Sequence, residues 1–205
     1  MPTSRIEAFS DGVLAIIITI MVLQLNVPAG SDLRALWDTA ASSLLTYLLS
    51  FVYVGIYWNN HHHMFQLTER VDGVVLWANL HLLFWLSLFP FSTAWMDRSD
   101  FSRVPVMVFG VDLLGAAIAY FVLERAILRR QPAGSPLARA VGRDLKGKLS
   151  PALYIAGIAS AALSRSPLDV AVWVALAFFV AVAVMWLVPD RRIERVLAEE
   201  HGAAT

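Results

Sequence analysis

The chain has 205 residues, of which 58% are hydrophobic and only 16% charged, against about 25% charged in ordinary soluble domains. Its formal net charge is zero, so no global basic field points to nucleic acid. It contains no cysteine, which excludes disulfides, thiolate metal sites and cysteine nucleophiles.

The apolar residues gather into six runs, several of them about 20 residues long, the length that crosses the hydrocarbon core as a helix. The first run covers about residues 6–25, and Val13 to Leu23 contains only Thr19 as a polar residue. Glu7 and Asp11 precede it where a signal peptide carries basic residues, and no small-residue cleavage site follows, so it reads as a retained helix. The second run covers 41–64, the third 71–95 and the fourth 104–128. The fifth, 149–164, is short, at about 16 residues. The sixth, 168–188, is closed by Pro189, where a helix should stop. Barrel strands alternate apolar and polar residues and are half as long. These runs are apolar all round, and a helix satisfies its own backbone in lipid. The predicted fold is all-α: one polytopic membrane domain, residues 1–205, with six transmembrane helices.

Charge orients the bundle. With the N-terminus inside, twelve of the sixteen basic residues fall in inner segments. Only Arg34, Arg98, Arg103 and Arg165 fall outside. Removing the short fifth span would put Arg191, Arg192 and Arg195 outside, so the charge count supports that span independently. Both termini are expected in the cytoplasm. The one long connection, from about Arg129 to Lys148, is polar and basic, and anionic lipid is its simplest contact.

Polar side chains at membrane depth are few, and each is informative. Arg5, Ser10 and Asp11 lie at the head of helix 1. Asn59, Asn60 and His61 to His63 lie at the end of helix 2. Asn79 and His81 lie early in helix 3. The predicted topology brings all three groups to one level. They read first as interhelical glue, second as a proton relay through Asp11 and His61. Adjacent histidines on a helix point about 100° apart, and the i, i+4 histidine pair with a glutamate is missing. No metal site is expected.

The stretch from Arg5 to Leu25, RIEAFSDGVLAIIITIMVLQL, holds Arg5, Phe9, Ser10 and Asp11 in an R-x-x-x-F-S-D pattern. Trp58, His61, Phe65 and Gln66 follow in YWNNHHHMFQL, and Pro90 and Phe91 in LFWLSLFPFSTAW. With these motifs the chain resembles the transmembrane-protein-175 family of potassium channels in its short bacterial form, over roughly Arg5 to Trp95. The resemblance implies a homotetramer of six-helix subunits in the bacterial inner membrane. Helix 1 would line a central pore, with potassium as the permeant ion and no cofactor. By the same resemblance, Ile16, Ile20 and Leu23 fall on the pore constriction, and Thr19 falls where a hydroxyl aids potassium preference. These four share one helical face, although helix 1 is apolar on almost every face. The resemblance also gives Phe9, Ser10 and Asp11 a structural role, bonding to His61 and to Trp77 and Asn79 of helix 3.

The function expected is a channel with modest preference for potassium over sodium and a hydrophobic constriction. Its partners would be other copies of itself, membrane lipid and monovalent cations, with no nucleic acid and no other small-molecule substrate. The alternative is a proton-coupled secondary transporter using Asp11 and His61. Transporters place ionisable groups and broken helices near the midplane, whereas here those groups sit at one end. A Ser10–His61 enzyme lacks any flanking nucleophile motif, so no enzymatic activity is expected.

Overall fold

The computed structural model describes residues 3–68, 71–132, 135, 137, 145–167 and 169–187. Within them lie six helices: α1 (Thr3–Leu23), α2 (Leu33–Gln66), α3 (Gly73–Arg98), α4 (Arg103–Leu128), α5 (Leu145–Ala162) and α6 (Val170–Leu187). Five of the six are long and apolar enough to cross a membrane; α5 is the exception.

Two helix starts differ most from the hydropathy pattern. Helix α2 begins at Leu33, eight residues before the expected start, because Asp32 caps it by accepting a hydrogen bond from the Ala35 N–H at 2.8 Å. Its 34 residues extend about 51 Å at 1.5 Å per residue, more than the hydrocarbon core requires. Hydropathy marks the part of a helix that lipid demands, and capping marks where the helix starts. Helix α5 likewise begins at Leu145 and takes Lys146 and Lys148 into its first turn. The expected end of the sixth run, Val188, and the terminal Arg191–Arg192–Arg195 cluster lie outside the described residues.

Neighbouring helices run antiparallel, and hydrogen bonds spaced along two of the pairs fix their register. Between α2 and α3, Ser42 and Ser43 donate to Asp97 at 2.6 and 2.5 Å, and Ser50 meets Thr93 at 2.7 Å. Between α5 and α6, Ser160 Oγ donates to the Ala171 carbonyl at 2.8 Å, and Trp186 Nε1 donates to Ser150 Oγ at 2.8 Å. Helix α5 therefore runs beside α6 along its length. The turn from α3 to α4 passes through the left-handed region at Asp100 and Phe101 (φ 50° and 56°). There the Phe101 N–H bonds the Met96 carbonyl at 3.0 Å.

The core is aromatic and sits where α2, α3, α4, α5 and α6 meet. Phe109 and Phe179 pack edge to face with centroids 5.9 Å apart. Tyr53 reaches across to donate to the Phe179 carbonyl at 2.5 Å. Gly110 of α4 and Gly157 of α5 leave room for that ring: a Cβ at either would stand 2.6 or 2.5 Å from Phe179. Without a hydrophobic force between helices in lipid, such small residues let backbones approach and gain packing contact.

Asp72 caps α3, accepting from the Val74 and Val75 N–H groups at 3.0 and 3.1 Å, and pairs with Arg130 beyond α4. The Arg130 hydrogen bond, then the capped N–H groups, hold its carboxyl below the usual range. A lowered carboxyl stabilises the fold above its ordinary value, and this contribution disappears as pH falls through the lowered one. Asp72→Asn should therefore lower the unfolding midpoint at neutral pH, and the gap from wild type should close in strong acid. Thermal unfolding in detergent across that range measures it. Gly157→Val should cost about 1–3 kcal/mol by overpacking against Phe179, read from the same midpoint.

Candidate functional site

Helix α1 presents two unlike faces. Ile6, Ser10, Leu14, Ile17 and Met21 are buried; their spacing of three and four residues makes one continuous stripe. The opposite side is uncovered in the single chain: Ile16 is 59% exposed, Ile20 42% and Leu23 81%. Thr19 shares that side and donates its hydroxyl back to the Ile16 carbonyl at 2.8 Å. Its hydrogen is thus used within the helix, and the oxygen lone pairs are left for another partner.

The polar residues at the head of α1 divide into two sets. The inner set is fully buried. Asn79 of α3 donates from Nδ2 to Ser10 Oγ at 3.0 Å, and its Oδ1 lies 2.8 Å from His61 Nε2. An amide oxygen only accepts, so His61 carries its hydrogen on Nε2. All three residues are at most 2% exposed. His61 also packs on Phe65, one turn along α2, with centroids 4.5 Å apart. One amide thus holds α1, α2 and α3 together where lipid could satisfy none of them.

The outer set joins α1 to α2 alone. Trp58 Nε1 donates to Asp11 Oδ1 at 3.0 Å. Trp58 stacks on His62, with centroids 6.0 Å apart and an interplanar angle of 12°. His62 faces Glu7 at 3.9 Å and Gln66 at 2.9 Å. Glu7 and Asp11 are four residues apart, as are Trp58 and His62, so the two pairs form matching rungs.

Four of the seven residues expected in one network make hydrogen bonds here, and they do so in two separate sets. Ser10, His61 and Asn79 come together, while Asp11 meets Trp58 of α2. Trp77 of α3 is 74% exposed and bonds to nothing among the described residues. The sequence carried the signal: Trp58 and His61 are three apart on one face of α2, with Trp58 one turn nearer the membrane centre. Arg5 and Phe9 are exposed on the first turns of α1, and Arg5 makes no ion pair among the described residues. No group of three or more metal-ligating side chains occurs among the described residues.

A family model described as the endosomal/lysosomal potassium channel TMEM175 matches residues 5–90, the span that holds both hydrogen-bond sets. A potassium channel of Chryseobacterium sp. (strain P1-3) is 48% identical over 199 residues, which is 97% of this chain and 100% of that protein. The chain belongs to the TMEM175 family. A potassium channel of Streptomyces collinus is 35% identical over 130 residues, 59% of this chain and 62% of that one. The crystal structure of a lysosomal potassium-selective channel TMEM175 homolog from Chamaesiphon minutus matches the fold with a TM-score of 0.72. It is 28% identical and covers 92% of this chain and 97% of that one. As a TMEM175-family member the chain is a multi-pass membrane protein of an ion-channel family.

Asn79→Leu should leave the Ser10 hydroxyl and the His61 Nε2–H without their buried partner, at about 1–3 kcal/mol for each. The unfolding midpoint in detergent measures the loss, and an unchanged midpoint would remove the amide from its central place.

Proposed function

We propose that the chain is a potassium-conducting channel, a homotetramer in the bacterial plasma membrane, with α1 of each copy lining a central passage. The observation that carries this reading is the uncovered apolar face of α1. One stripe of the helix is buried against its own bundle, and Ile16, Ile20 and Leu23 are left outward at helical spacing. Four such faces around an axis make a narrow apolar tube, which water leaves and through which an ion cannot follow bare. Thr19 adds one ring of hydroxyl oxygens whose hydrogens already point back to the helix, an arrangement suited to a partly dehydrated cation.

The relatives named potassium channels support potassium as the permeant ion. Six crossings with both termini cytoplasmic agree with the distribution of basic residues. The passage of α5 through the membrane is supported by its full-length pairing with α6. The domain is one six-helix unit whose other contacts are lipid, and its work requires no cofactor.

The Ser10–Asn79–His61 set and the Trp58–Asp11 pair serve in this reading as the frame that holds α1 in place. The transporter alternative needs Asp11 and His61 in one relay, and they belong to separate hydrogen-bond sets. An enzyme built on Ser10 and His61 is disfavoured because Asn79 stands between them.

Purified protein in liposomes should pass potassium down its gradient without a coupled ion; flux that appears only with a proton gradient would favour the transporter. Ile16→Asn and Leu23→Asn should each raise leak and loosen selectivity, because a polar ring stays hydrated. Thr19→Val should reduce the potassium-to-sodium ratio while preserving flux. Reversal potentials and flux rates measure all three, and unchanged conduction in both asparagine variants would move the passage elsewhere.

A further inference from the structure

Asp112 lies within the fourth apolar run, nine residues beyond Arg103, about 14 Å along α4 at 1.5 Å per residue. It is 3% exposed. Its Oδ2 is 2.6 Å from Ser92 Oγ of α3, while Oδ1 is the one buried side-chain polar atom without a partner among the described residues. No ion pair among the described residues includes it.

The neighbouring helices supply no cation at this depth. From α2 the facing ionisable group is the Tyr57 phenol. The ionisable groups of α3 are His81, Asp97 and Arg98, eleven residues before Ser92 and five and six after it. Helix α5 offers the Tyr154 phenol in its middle and Lys146 and Lys148 at its start. Helix α6 has no ionisable residue. On α4 itself the others are Arg103, the Tyr120 phenol, Glu124 and Arg125. A charged carboxylate at membrane depth needs a cation or a full set of donors, and one hydroxyl is neither.

We propose that Asp112 is a proton-binding site within the α3–α4 interface and holds its proton in this conformation. The carboxylate takes one proton from water to become the neutral acid. Its Oδ2–H then donates to Ser92 Oγ, and the Ser92 hydroxyl turns to the Phe89 carbonyl, 3.4 Å away. Both hydroxyl hydrogens gain acceptors, and Oδ1 is left as an uncharged carbonyl oxygen, far cheaper to bury than half a carboxylate. Pro90 lies between Phe89 and Ser92 and removes one helix hydrogen bond there, so this part of α3 has one backbone restraint fewer. A bend that brings water to Oδ1 would stabilise the carboxylate and release the proton. The site is on α4, apart from the α1 face assigned to the passage, and does not depend on that assignment.

Infrared spectra of the full chain in liposomes, with and without carbon-13 aspartate, test this. Asp112 is the only buried aspartate among the described residues. The expected result at pH 7 is an isotope-sensitive protonated-carboxyl band equal to one group per subunit. It should be lost in Asp112→Asn and displaced in Ser92→Ala. Because the wild-type band alone decides the protonation state, the test survives a variant that fails to fold. Absence of the band at pH 7, or its persistence in a folded Asp112→Asn protein, would overturn the proposal. Asp112→Asn should also keep the wild-type unfolding midpoint to within a few degrees, since a neutral amide replaces a neutral acid; a large loss would show that a charged carboxylate is required.

Discussion

Hydrocarbon offers no hydrogen-bond partner, so every polar group placed in this bundle has to be answered from within it. That constraint explains the placement of the buried polar residues better than any single packing contact. Asn79 answers both Ser10 and His61 and so ties three helices at one level. At the other end, Asp97 accepts from two adjacent serines of α2 and fixes the register of α2 on α3. Between them Ser50 and Thr93 satisfy each other. The bonds between α2 and α3 are spaced along that helix pair, and a slip of one helix against the other by one residue would disturb each of them.

The same constraint gives α1 its double character. Its buried stripe carries Ser10, which must be satisfied, and four apolar residues that pack behind it. Beyond Asp11 its other face carries only hydrocarbon and one hydroxyl that has already turned inward. Lipid would tolerate that face. Four copies would close it into a passage, and the aromatic core holding the remaining helices around Phe179 would brace it from behind. The proposed pore is thus a surface the subunit leaves unfinished, and the hydrogen-bond sets at the head of α1 fix the angle at which it is presented.

Much of this was legible in the residues. Six apolar runs became six helices, and the polar residues at the head of the first, the tail of the second and the head of the third do share one level. Three things were not legible, each for a physical reason. Helix α2 starts well before its apolar run, because Asp32 caps it in the polar region where hydropathy gives no signal. Asp11 takes its indole from Trp58 of α2, since depth arguments give level but not which side chain faces inward, and Trp77 points out. Asp112 is hidden in the hydropathy pattern because a single carboxylate scarcely alters the mean of a long apolar run, although it is the one acidic residue in the middle of that run.

The central claim is that the uncovered face of α1 surrounds the passage and the buried face does not. Because the native chain has no cysteine, single substitutions report without background. Ile16→Cys, Thr19→Cys, Ile20→Cys and Leu23→Cys, set against Leu14→Cys, Ile17→Cys and Met21→Cys, can be exposed to a small thiol-reactive cation in reconstituted protein during flux. The account predicts block by modification at the first four positions and none at the last three. Block at positions 14, 17 and 21 with the first four silent would contradict it.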